Sequence, residues 1–453
     1  MGMERSPRIA VLTLSFIVGS SSACSSNNDM TAQKPDAMTT QMDGGVVSNC
    51  PSFDIEVVDG EGANHPRAGD NATLALDSSG NPTVAYGATQ KGSTTYQLWY
   101  AARKSDGTWT KELVVEPGSH VMPAVTGQIT GLGFAQVDGA PQLAYIGGTT
   151  DGNPLTPYPT DLMLSKKTGG AWMETTLVTM GSQVTCSCPG TQDYCHFGNV
   201  VGNYASMRAR PGGGGYAIAY QDSHNGFARD DLDHADADVF TMGGPVMNVC
   251  ADSVRSGGQF ADITYTKDKN VVLAYNLIRA VPPNQLAGVW AAAYDGMNWI
   301  LTLVDANLAY GKVALGTAPD GTIYMAVPDS GNNNLLVGTS TTNGKTWHTS
   351  VVQQGGKTGL APSIAFDGMG RPIIAFEYCG PSTDQNCPGS TGAQSEVRLV
   401  RLEGSTWHMC KVDNGQGMGM VGLFTSTIVT PDGKLGIAYV DDLNGSLLYA
   451  KEM

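Results

Sequence analysis

The chain ends one strand short of a whole number of repeats and carries a lone copy of that strand near its beginning. "LAPSIAFDGMGRPIIAFEY" (residues 360–378) is the clearest copy of the repeat. It reads as an apolar strand, a turn rich in Asp, Asn, Gly or Lys, and a second strand closing near Ala-Tyr. "NATLALDSSGNPTVAYG", "GLGFAQVDGAPQLAYI", "ASMRARPGGGGYAIAYQ", "ADITYTKDKNVVLAYN", "VALGTAPDGTIYMAVP" and "GLFTSTIVTPDGKLGIAYV" are further copies. The strand-end positions are Tyr86, Tyr145, Tyr220, Tyr275, Val327, Phe376 and Tyr439, spaced 49 to 75 residues apart. A third strand, a turn and a fourth strand follow each pair. The fourth often begins near a tryptophan: Trp109, Trp172, Trp299, Trp347 or Trp407. Turn signals this regular predict four-stranded antiparallel sheets.

The last repeat stops after its third strand, "GSLLYAKEM". "FDIEVVDG" (residues 53–60) stands alone before the first repeat and matches the end of a fourth strand, as in "TKELVVEPG". Pairing the two ends completes the last sheet and leaves no open edge between the termini. A linear array would need caps and not this permutation. The expected fold is all-β: a seven-bladed β-propeller of four-stranded antiparallel blades, with the ring closed by the N-terminal strand.

Composition agrees. The chain has 58 glycines among 453 residues and only 15% charged residues, which suits tight turns and sheets. Its formal charge of −15 excludes nucleic acid as a partner, since phosphates require a basic footprint.

"STTNGKTW" (residues 340–347) resembles the Asp box of the sialidase-type, BNR-repeat propellers, with Ser340, Gly344, Thr346 and Trp347 matching and Thr342 in place of the aspartate. The resemblance implies a structural turn on the face away from any active site. It also implies an arginine triad, a Tyr-Glu nucleophile pair and a catalytic aspartate, with an Arg-Ile-Pro motif near the start. Only "HPRAGD" around Arg67 approaches that motif, so sialidase activity is not expected.

The N-terminus reads as an export signal. "MGMERSPR" is a basic start, "IAVLTLSFIVG" an apolar segment too short to span a bilayer, and "SSSAC" supplies small residues before Cys24. The pattern resembles a bacterial lipoprotein signal with Cys24 lipidated, which implies an outer-membrane or cell-surface protein held to the membrane only through that lipid. The same Ser-Ser-Ala suits ordinary cleavage, which would make the protein periplasmic or secreted. Residues 1–23 are assigned to the signal, 24–50 to a polar disordered tether, and 51–453 to a propeller expected to be a monomer. Eight cysteines besides Cys24 suggest disulfides in an exported chain. Cys379 and Cys387 bracket one short loop and form the pair proposed from sequence. The connectivity of the others stays open.

In a propeller, the loops from second to third strand and from one blade to the next share a face, and their reach makes that face the expected binding surface. Blade 3 carries the two longest candidates. One is "QDSHNGFARDDLDHADAD" (residues 221–238) and the other "GSQVTCSCPGTQDYCHFGNVVG" (residues 181–202). The expected ligand-binding residues are Tyr194, His196, Asp222, His224, Asp230, Asp231, Asp233 and His234. Oxygen ligands from the aspartates would suit Ca²⁺, and His224 and His234 with Asp231 would suit Zn²⁺. No known metal motif fits the spacing, and a solvated acidic loop whose aspartates cap their own turns is the competing reading. The leading expectation is recognition of a glycan, peptide or envelope protein. The alternatives are a metal-dependent activity at the His/Asp loop, or a glycoside hydrolase or lyase using Asp329, Glu377, Asp441 or Asp442 at the ends of second strands.

Overall fold

Each repeat folds as one sheet, in the strand order the sequence predicts. The computed structural model describes residues 50–60, 67–89, 96–115, 131–147, 160–179, 200–223, 235–249, 257–277, 287–309, 311–355, 357–380, 395–415 and 420–453. Seven antiparallel sheets of four strands emerge. The first strand of each blade lies innermost: Arg67–Leu76, Leu132–Val137, Val200–Ala209, Gln259–Tyr265, Ala314–Thr317, Lys357–Phe366 and Val421–Val429. Each packs against the innermost strand of the next blade, and Val421–Val429 returns to Arg67–Leu76. This cycle makes the array a ring.

Burial explains the sequence pattern. A blade is sandwiched between two others, so its second strand is covered on both faces and reads as an apolar run rather than an alternation. In blade 6, Ile373 and Ala375 pack toward blade 7, while Ile374 and Phe376 pack toward blade 5. Outermost strands are wetter, as in Ala171–Val178.

The closing strand Phe53–Asp59 runs antiparallel to Ser446–Glu452, with Ile55 opposite Ala450 and Val57 opposite Leu448. Its side chains behave as those of a fourth strand. In blade 2, Trp172 Nε1 donates to Glu112 on the fourth strand of blade 1 (3.2 Å), and Lys167 Nζ donates to the same carboxylate (2.7 Å). In blade 1, Trp109 Nε1 donates to Glu56 on the closing strand (3.1 Å), as does Arg103 Nε (2.8 Å). Glu56 thus stands to blade 1 as Glu112 stands to blade 2. Cys50, at the boundary of the expected tether, forms a disulfide with Cys410 in the fourth strand of blade 6. Cys379 is also disulfide-bonded; Cys387 lies outside the described residues.

The Asp-box-like turn keeps its architecture without the aspartate. Thr342 Oγ1 accepts from Thr346 N (2.9 Å), Ser340 Oγ accepts from Gly344 N (3.0 Å), and Trp347 Nε1 donates to Gly344 O (2.9 Å). Gly344 has φ +82°, and a Cβ there would meet Val272 of blade 4 at 2.8 Å. Both facts require glycine. The turn is a structural clamp between blades.

Candidate functional site

The two faces use their acids differently. On the tight-turn face, aspartates cap their own turns: Asp77 accepts from Ser79 N and Asn81 N, Asp295 from Met297 N and Asn298 N, and Asp367 from Met369 N and Arg371 N. On the loop face, acids sink into the junctions between blades. Asp59, Asp70, Asp222, Asp236, Asp238, Asp329 and Glu377 are all buried near that end of their strands.

Blade 3 holds three of them. Asp222, at the end of Tyr216–Ser223, lies directly opposite Asp236 on Ala235–Thr241, and Tyr220 lies opposite Asp238. Like charges placed opposite each other destabilise a strand pair. Asp238 Oδ1 accepts from Asn248 Nδ2 (2.9 Å). Among the described residues neither Asp238 Oδ2 nor the Tyr220 hydroxyl closes a hydrogen bond of ordinary geometry. Burial, then the charge of Asp236, pushes the Asp238 carboxyl well above the usual range. These strands are the roots of the acid-rich loop of blade 3. Tyr194, His196, His224, Asp230, Asp231, Asp233 and His234 lie outside the described residues, as does Cys24. Among the described residues no group of three or more His, Cys, Asp or Glu is arranged to hold a metal ion.

The carboxylates proposed for a hydrolase separate into two kinds. Asp329 and Asp441 fold back on their own turns. Asp329 Oδ2 accepts from Asn332 Nδ2 (2.7 Å) and Asp441 Oδ2 from Asn444 Nδ2 (2.6 Å). Their Asp-x-x-Asn spacing is a sequence signal for this turn-capping role. Glu377 is different. It is 1% exposed, in the junction between blades 6 and 7, and among the described residues neither carboxyl oxygen has a hydrogen-bond partner. Gly422 of blade 7 makes room for it: a Cβ there would lie 3.0 Å from the Glu377 side chain. Burial first, with Asp442 adding to it, pushes its pKa up to about 8. Asp442 pairs with Arg67 (3.1 Å), which also holds Asp70 (2.9 Å). The "HPRAGD" arginine therefore joins blade 1 to blade 7 beside Glu377.

Sister blades show what the Glu377 position does elsewhere. Each occupant directly follows the strand-end aromatic. In blade 3 it is Gln221, whose Nε2 donates to Gly257 O of the next blade (2.6 Å). In blade 4 it is Asn276, whose Nδ2 donates to Gly311 O of the next blade (3.2 Å). Two neutral amides staple adjacent blades, and blade 6 has an acid in their place.

A second junction rule has a similar exception. Tyr86 donates to Asp59 (2.6 Å), and Tyr439 donates to Asp413 (2.6 Å). In both, a strand-end tyrosine meets an aspartate on the fourth strand of the preceding blade. Blade 5 has Val327 instead. Its expected partner, Asp305, is left with a buried Oδ2 that accepts no hydrogen bond among the described residues, and burial, with Asp329 adding to it, raises its pKa to about 6. A carboxyl held protonated in the folded state stabilises below its unfolded pKa and loses that advantage as pH rises through the folded one. Asp305→Asn is therefore expected to gain about 1 kcal/mol above pH 7, allowing for partial exposure, and nothing at pH 4. Urea denaturation at both pH values measures this, and an equal effect at both would count against the assignment.

Comparison with known proteins returns likeness in fold. No family model matches the sequence, and no curated protein matches it. A protein of unknown function from Dyadobacter fermentans is 13% identical and superimposes with a TM-score of 0.50 over 88% of this chain and 97% of its own. The NanB sialidase of Streptococcus pneumoniae is 12% identical, with a TM-score of 0.46 over 88% of this chain and 70% of its own. The Trypanosoma rangeli sialidase is also 12% identical, with a TM-score of 0.40 over 77% and 56%. The chain has a β-propeller fold, as its own ring of seven four-stranded sheets shows. At these identities the likeness concerns fold alone.

Proposed function

We propose that this propeller is an exported recognition protein, anchored by a lipid on Cys24, that binds a glycan, peptide or envelope protein through the loop face around blade 3. The observation that supports this reading is the pair of unsatisfied groups at the roots of that loop, Asp238 Oδ2 and the Tyr220 hydroxyl. Buried polar atoms are almost always hydrogen-bonded, so an unmatched pair needs a reason beyond folding. The test is a glycan array and a panel of peptidoglycan fragments, probed with the intact chain. The combined variant His224→Ala, Asp231→Asn, His234→Ala is expected to abolish binding, while Asp106→Asn on the opposite face leaves it unchanged. Binding that survives the triple replacement in a folded protein removes blade 3 from the reading.

A second reading, a glycoside hydrolase or lyase, has one observation in its favour. Glu377 holds its proton up to about 8 next to a carboxylate, Asp442, that is paired with Arg67. Acid and base roles arise where neighbouring carboxyl groups sit in unlike environments. Turnover of aryl glycosides by the parent chain, lost in Glu377→Gln, would favour this reading over the first.

A further inference from the structure

The innermost strands of blades 3 to 5 bring Arg208, Asp262 and Leu315 together along the central channel, and Lys312 stands three residues before Leu315. Arg208, near the end of Val200–Ala209 in blade 3, reaches past Asp262 of blade 4 (Nη2 to Oδ2, 3.4 Å) to the carbonyl of Leu315 in blade 5 (3.5 Å). A side chain that spans three blades along their inner edges lies on the channel wall. Both contacts are long for a guanidinium, and the Arg208 side chain is 37% exposed. Lys312 stands just before the innermost strand of blade 5. It is half-buried, and among the described residues no hydrogen bond or ion pair to its ammonium is found. Burial lowers its pKa, the Asp262 charge opposes that, and the Arg208 charge adds to it.

Asp262 does not neutralise both cations. Its Oδ1 accepts from Ser206 Oγ (2.5 Å) and Ile263 N (3.0 Å), and its Oδ2 accepts from Leu315 N (2.8 Å) as well as Arg208. These bonds, with the nearby cations, hold its carboxyl below the usual range despite burial. Two half-buried cations at other junctions meet a carboxylate: Arg103 meets Glu56 and Lys167 meets Glu112. In a chain of net charge −15, the channel wall at blades 3 to 5 is a local excess of positive charge with donors to spare.

We infer that Arg208 and Lys312 form a binding site for a small oxyanion, a carboxylate or a tetrahedral anion, inside the channel. The anion would accept from the free N–H groups of Arg208 and from the Lys312 ammonium, and it would relieve the repulsion between them. This site uses no residue of the blade 3 loop, so it stands or falls apart from the recognition reading.

The intact protein is titrated with sodium acetate, sodium glucuronate or sodium sulfate at ionic strength held constant with chloride, and with glucose as the neutral control. Calorimetric binding and the melting temperature are followed together. Saturable binding of at least one anion, absent for glucose, is expected. Lys312→Met should weaken it about tenfold or more, the loss of one charge-assisted hydrogen bond, with the circular dichroism spectrum unchanged. Arg208→Met provides an independent second loss. Preference for acetate and glucuronate would identify a carboxylate, and preference for sulfate a tetrahedral anion. No saturable binding of any anion, or binding that both variants retain at full strength, overturns the inference.

Discussion

Glutamine in place of Glu377 is expected to raise the unfolding free energy at pH 8 by roughly 3–4 kcal/mol. The parent carboxyl is buried without a partner and keeps its proton up to about 8, against an ordinary value of 4.5. Between those two values the folded chain binds a proton that the unfolded chain has released. Stability from this group is therefore fully present below about 4.5, falls as pH rises through the window, and levels off above 8. Each pH unit of the gap is worth ~1.4 kcal/mol. An amide does not ionise, and Gln221 and Asn276 show that the same position in sister blades accommodates one bonded to the next blade. Urea denaturation of both proteins from pH 4 to pH 9 reads the difference directly. The variant should match the parent near pH 4 and pull ahead as pH rises. Parallel curves across the range would mean that Glu377 is not held as a buried acid.

Removal of the closing strand should cost the most. A chain starting after residue 60 loses the ladder to Ser446–Glu452, the Glu56 contacts to Arg103 and Trp109, the Asp59 contacts to Tyr86 and Lys111, and the disulfide. The Tyr86 hydroxyl would be left buried without its acceptor, at about 1–3 kcal/mol. The expected result is loss of cooperative unfolding and exposure of apolar surface that binds hydrophobic dyes. Replacing only Cys50 and Cys410 with alanine is milder, roughly 2–4 kcal/mol, because the strand stays paired. The disulfide joins residues 360 apart in sequence, but the ring already brings them together. A truncated chain that melts as sharply as the parent would show that the N-terminal strand does not close the ring.

Much of this architecture is written locally. A turn such as "FDGMGRP" needs only its own residues: Asp367 caps it, and two apolar strands follow from their composition. Repeating such units sets the number of blades, and the displaced "FDIEVVDG" sets how the ring closes. The Asp-x-x-Asn spacing of Asp329 and Asp441 likewise contained their turn-capping role. The blade 3 aspartates were legible as a cluster. The burial of Asp222, Asp236 and Asp238 was not, because it depends on how blade 2 covers blade 3.

Sequence alone determined the class of fold, the count of blades and the identity of the closing strand, because each is fixed by contacts within a repeat or by the repeat's phase at the two ends. Only the tertiary structure decided which acid lacks a partner, which cysteine meets Cys410, and that Arg208 reaches across three blades to Leu315. Those facts arise where side chains from different blades meet. Residues brought together there come from separate repeats, and no periodicity in the chain records which of their charges will cancel.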